Sequence, residues 1–127
     1  MSARDHVAKM RLALKAVKGR LDCAEARLAG ALAEIRDRAA ELRDCKTRLA
    51  EAPLPEGGEP AFIAFADRRR AALRARIAAL TAALNNLYTE EKTRRAEVER
   101  RLREKISLEA AADAALKEAE KAAARRA

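Results

Sequence analysis

The chain has 127 residues and no tryptophan; its only aromatic residues are Tyr88, Phe62 and Phe65. Half of the residues are nominally hydrophobic, but most of those are alanine. So few large side chains exclude a globular core of ordinary thickness. One histidine and two cysteines exclude a zinc site with the usual ligand spacing. The glycine pair Gly57–Gly58 lacks the lysine and the strand of a phosphate-binding loop. No run of eighteen apolar residues exists, so no membrane-spanning segment is expected. The opening stretch MSARDHVAKMRLALKAVKG has no uninterrupted apolar core, which predicts no cleaved secretory signal.

What the chain does contain is charge. Charged residues make up 38%, with a formal net charge of +8, and arginine outnumbers lysine more than two to one. A surplus of Ala, Glu, Arg, Lys and Leu is the composition of a long helix or coiled coil. The positive balance favours acidic partners: nucleic acid, an anionic surface or an acidic protein groove.

The pattern along the chain agrees. Ser2 and Asp5 read as a capping box that starts a first helix over about 3–51. Val7, Leu14, Leu21, Leu28, Ile35, Leu42 and Leu49 recur at intervals of seven. Met10, Val17, Ala24, Ala31, Arg38 and Cys45 follow three residues behind, the 3-4 alternation of a coiled-coil seam. The second line is the weaker one. Two alanines leave room in it, and Arg38 is expected either to snorkel outward or to mark a contact.

All three prolines (Pro53, Pro55, Pro60) and the glycine pair fall in one short stretch, which predicts a turn over 52–60. Pro60 suits the first turn of a second helix over about 61–125. Leu73, Ile77, Leu80, Ala83 or Leu84, and Leu87 carry its apolar stripe. Val98, Leu102, Ile106, Leu108, Ala112 and Leu116 extend that stripe more faintly. A turn this short makes antiparallel docking the default. The expected fold is all-α: one antiparallel coiled-coil hairpin comprising residues 1–127. Folding about Glu56 and Gly57 would set Leu49 near Ala64 and Val7 near Ile106. It would also leave about 20 residues of the second helix, ~30 Å, overhanging at the C-terminus. Cys23 and Cys45 stand about 33 Å apart along one helix, too far to pair. Two free thiols and no signal point to the cytosol.

No catalytic constellation emerges. His6 reads as a solvated residue of the first turn, and Glu90–Glu91 sit among Lys92, Arg94 and Arg95 as on a solvated helix face. Two features are candidates for binding. RRRAALRAR places Arg68, Arg69, Arg70, Arg74 and Arg76 together with no acid among them. It reads as a basic solvated face or as a nucleic-acid patch that lacks interleaved aromatics. Phe62 and Phe65 either staple the end of the hairpin or dock a partner.

The second half, from FIAFADRRRAALRARIAAL through TEEKTRRAEVERRLREK to the alanine-rich tail, resembles the flagellar export protein FliJ and its virulence-system counterparts of the YscO type. The likeness lies in the hairpin plan, an aromatic start, a leucine-spaced middle, a Glu/Lys/Arg-dense segment and an alanine-rich end. It departs from that family in having no aromatic after Tyr88. The resemblance implies a non-enzymatic component of a bacterial type III, and in particular flagellar, protein export apparatus. Such a protein is a cytoplasmic stalk peripheral to the inner membrane, inserted in the hexameric export ATPase as the γ subunit is in rotary ATPases. Its further partners are the export-gate membrane protein and the substrate chaperones, and no cofactor is implied. On that basis Leu116, Lys117, Lys121, Arg125 and Arg126 would meet the ATPase ring. Phe62, Phe65, Arg69, Leu73 and Arg76 would meet the gate. Two other classes compete: a basic coiled coil binding nucleic acid, and a structural scaffold that oligomerises through the weak seam at Ala24, Ala31 and Arg38.

Overall fold

Two helices account for almost all of the described chain: α1, Ala3–Glu51, and α2, Pro60–Arg126. The structure, a computed structural model, describes residues 2–52 and 58–127. Of the expected turn at 52–60, residues 53–57 lie outside the described residues. No strand occurs among those described, and the two helices pack against each other as an all-α hairpin. Each start has a local cause. Asp5 N donates to Ser2 Oγ at 3.2 Å while Ser2 N donates to Asp5 Oδ2 at 3.3 Å, the reciprocal capping box. At α2 the Glu59 carbonyl accepts from the amides of Phe62 and Ile63, and Pro60 occupies a position where its missing N–H costs nothing.

The chain divides into two compact units: Met1–Ala29 with Lys92–Ala127, and Gly30–Glu91. In the turn-side unit, Gly30–Glu91, the buried side chains are Ala31, Cys45, Leu80, Leu84 and Leu87, with Leu80 only 2% exposed. Ile35, Leu42, Leu49, Leu73 and Ile77 are half-buried beside them. The heptad seam is therefore observed as expected, with Leu84 rather than Ala83 in the buried position. In the terminal unit, Met1–Ala29 with Lys92–Ala127, the buried residues are Val7, Val17, Leu21, Ala24 and Ala115. The weak seam is not empty: Ala24 and Ala31 are 3% and 5% exposed, each buried within its own unit.

The structure departs from the expected pairing in two ways. The first concerns the phase of α2 in the terminal unit. Leu102, Ile106 and Leu116 are 44%, 57% and 40% exposed, while Ala115 is buried and Arg101, Glu104 and Lys105 are half-buried. Steps of four from Val98 to Leu102 to Ile106 carry a residue about 80° around a helix of 3.6 residues per turn. The 3-4 alternation set by Leu80, Leu84 and Leu87 instead continues through 91, 94, 98, 101, 105, 108, 112 and 115, and packing follows it. Arginine tolerates such a place because its stem is apolar and its head can be paired. Arg101 bonds Glu97 through Nε at 3.0 Å and Glu104 through a terminal nitrogen at 3.2 Å.

The second departure is the overhang. Val7 shares a groove with Leu116 and Ala119, not Ile106, and Ser2 and Arg4 share it with Arg126. Most of the stretch expected to stand alone is thus packed against the first turns of α1. At the other end Arg70 donates to the Ala52 carbonyl at 3.2 Å and shares a groove with Leu49. The end of α1 thus meets α2 at Arg70, not at Ala64. Helix α2 is longer than α1, 67 residues against 49. Much of that excess, Pro60–Arg69, precedes the point where α1 ends. The physical reason is that the register is set by packing along the seam, not by the sequence distance to the turn.

Candidate functional site

Two surfaces carry the residues singled out above, one in each unit. In the turn-side unit, Phe62 and Phe65 are each 57% exposed. They line one groove with Arg48, Glu51, Ala52 and Arg69. A heptad step separates Phe62 from Arg69 and Arg69 from Arg76, which sets the three on one line of α2. Their exposure follows from the register: α1 ends beside this stretch, so the aromatics meet only its last turn at Arg48, Glu51 and Ala52 and stay largely at the surface. A ring pair half in water, rimmed by guanidinium groups, suits an apolar segment that also carries acids.

The other two expected docking residues are engaged elsewhere in the same unit. Leu73 is half-buried on the inner face. Arg76 reaches across to α1, where its Nε donates to Glu41 Oε1 at 3.2 Å and a terminal nitrogen donates to the same oxygen. Arg38 Nη1 donates to Glu41 Oε2 at 3.2 Å, a bond within α1 that leaves the seam arginine part-exposed and paired on its own helix. The Arg76 guanidinium, by hydrogen bond and by charge, holds the Glu41 carboxyl below the usual carboxylate range, with Arg38 adding to it. Glu41 in turn raises Arg76. The sequence reading overlooked Glu41, although both it and Arg76 immediately precede a seam position, where antiparallel helices exchange charge. Arg48 and Glu51 carry no comparable signal, because only the register brings them beside the phenylalanines. Arg68, Arg69 and Arg74 form no ion pair among the described residues.

In the terminal unit, Leu116 and Arg126 share a groove with Ser2, Arg4 and Arg11. Lys117, Lys121 and Arg125 are exposed and follow one another at steps of four along one ridge. Lys121 Nζ lies 3.7 Å from Glu118, while Lys117 and Arg125 make no ion pair among the described residues. His6 is exposed, as expected. Further along α2, Arg100 and Arg101 hold the Glu97 carboxyl below its ordinary range, Arg100 chiefly by its hydrogen bond. Glu104 and Glu97 raise Arg101.

Among the described residues no three His, Cys, Asp or Glu side chains gather as metal ligands would. Cys23 is exposed, Cys45 is buried, and both are free. No described helix is long and apolar enough to cross a membrane. The class that fold and site define is an all-α helical hairpin with separate aromatic-basic and alanine-rich basic surfaces. No protein-family model matches the chain, and neither does any curated protein or solved structure.

Proposed function

We propose that the protein is a non-enzymatic component of a bacterial type III protein export apparatus of the flagellar kind, acting as a stalk between the hexameric export ATPase and the export gate. The observation that carries this reading is the groove at the start of α2, where Phe62 and Phe65 stay half in water beside Arg48 and Arg69. Two aromatics out of three in a chain this poor in them are placed where an intramolecular role uses less than half of their surface. A partner surface accounts for that placement.

The terminal unit supplies the second contact. With the overhang gone, the element offered to a ring is a two-helix tip, the first turns of α1 packed on Leu116–Arg126. Small alanine side chains keep such a tip slender, and Lys117, Lys121 and Arg125 present positive charge to acidic loops around a pore. The work takes place on the cytoplasmic side of the inner membrane, with substrate chaperones as further partners.

The test is ATP hydrolysis by the export ATPase of the same organism, titrated with the full chain and with Lys117→Glu/Lys121→Glu/Arg125→Glu. Stimulation by the wild type, lost in the triple variant and indifferent to added duplex DNA, is the expected result. Absence of stimulation refutes the stalk. If DNA instead binds with an affinity that falls steeply as salt rises, the unpaired Arg68, Arg69 and Arg74 are the footprint of a nucleic-acid protein.

A further inference from the structure

The terminal unit carries a face that the seam leaves exposed, beside the Lys117–Lys121–Arg125 ridge and overlapping the tip of the stalk reading only at its end, near Arg4, Leu116 and Glu120. On α1, Arg4, Ala8, Arg11, Lys15 and Lys18 follow one another at steps of four and three, all exposed. On α2, Leu102, Ile106, Glu109, Asp113, Leu116 and Glu120 do the same, with only Glu109 half-buried. Such spacing keeps each set on one side of its helix, just beside the seam. The two lanes lie on the same side of the unit, because Arg4 and Arg11 share a groove with Leu116 and Glu120. One lane is basic and the other is acidic with three exposed aliphatic side chains. Among the described residues no ion pair joins them, and Arg4, Arg11, Asp113 and Glu120 take part in none.

We infer that this face is the interface of a homodimer, occupied by the same face of a second copy of the chain. The charge pattern selects both occupant and arrangement. A twofold axis running along the helices lays the basic lane of α1 on the acidic-aliphatic lane of the second copy's α2, twice over. An axis across the helices lays basic on basic. Only the first is self-complementary, as an isologous contact must be. It covers Leu102, Ile106 and Leu116 and gives Asp113 and Glu120 the partners they lack within one chain. The stretch from Leu102 to Glu120 is about 27 Å long and two helices are about 20 Å wide. That footprint is at the small end for specific association, so the dimer is weak and held in part by screenable charge. This contact differs from the seam route, where Ala24 and Ala31 are buried, and it does not depend on the stalk assignment.

Sedimentation velocity on the full chain tests it. The wild type is expected to shift from monomer toward dimer mass as concentration rises, and back toward monomer as salt rises. Arg4→Glu/Arg11→Glu and Asp113→Lys/Glu120→Lys should each be monomeric, and an equimolar mixture of the two should recover the dimer mass. Circular dichroism checks that each stays helical. If either charge-reversed chain loses helicity, Ile106→Ala probes the same face without altering charge and should weaken self-association. A wild type that is monomeric at every concentration overturns the inference. So does a dimer that no substitution on this face weakens, or a pair of helical variants that fail to associate on mixing.

Discussion

The comparison of Leu80→Ala with Ile106→Ala tests the register directly, because the apolar pattern puts both on one stripe and the structure separates them. Leu80 is 2% exposed and Ile106 is 57% exposed. Truncating a buried leucine costs about 2–5 kcal/mol, transfer and cavity together. A two-helix seam has water close by and can partly collapse, so the lower part of that range applies, about 2–3 kcal/mol. Full burial of an isoleucine is worth about 1.5–3 kcal/mol, and Ile106 realises less than half of that. Alanine also regains a few tenths of a kcal/mol in helix propensity. The net cost at Ile106 is therefore below about 1 kcal/mol. For a chain of this size each kcal/mol moves Tm by about 3–5 °C. Leu80→Ala should lower Tm by about 6–15 °C, and Ile106→Ala by less than about 5 °C. The assay is thermal unfolding followed by far-ultraviolet circular dichroism, at a dilution where the chain is monomeric. Equal losses for the two variants would refute the continuous 3-4 phase and put Ile106 back in the seam. A loss at Ile106 that grows with protein concentration belongs to the dimer face instead.

Two further outcomes follow from the geometry. Glu41 and Glu97 have carboxyl pKa values lowered from 4.5 by their arginine partners, so each favours the folded state above that value, and the contribution fades as pH falls through 4.5 toward the lowered value. Glu41→Gln should therefore flatten the acid limb of Tm against pH and lower Tm slightly at pH 7, and an acid limb identical to the wild type's would refute the pairing. Cys23 is exposed and Cys45 is buried, so a thiol reagent should label Cys23 at once and Cys45 only on unfolding, with equal native rates as the refuting result.

Much of the fold is legible from particular residues. Ser2 and Asp5 announce the start of α1, Pro60 the start of α2, and the sevenfold recurrence of Val7 through Leu49 the buried line between. These signals are local, and local signals survive without knowledge of what packs opposite. The position of the phenylalanines beside the break was legible in the same way, but their exposure was not. It depends on α1 ending opposite Arg70 rather than Ala64. Arg76 could be read as free because nothing in its own helix names Glu41, thirty-five residues earlier, as its acceptor.

By itself, then, the sequence determined the number of helices, their ends and the seam of α1, since helix propensity, capping and heptad spacing each act within a few turns. Only the tertiary structure decided the register of α2 against α1 and the phase of its last third. The physical reason is the same for both. The side chains of that third are mostly alanine, arginine and glutamate, which fit an interface at several rotations and shifts. The choice among them is made by pairing within the terminal unit, where Val7, Val17, Leu21 and Ala24 are buried together with Ala115. That choice turned Leu102, Ile106 and Leu116 outward and brought Ser2–Arg11 onto the alanine-rich tail.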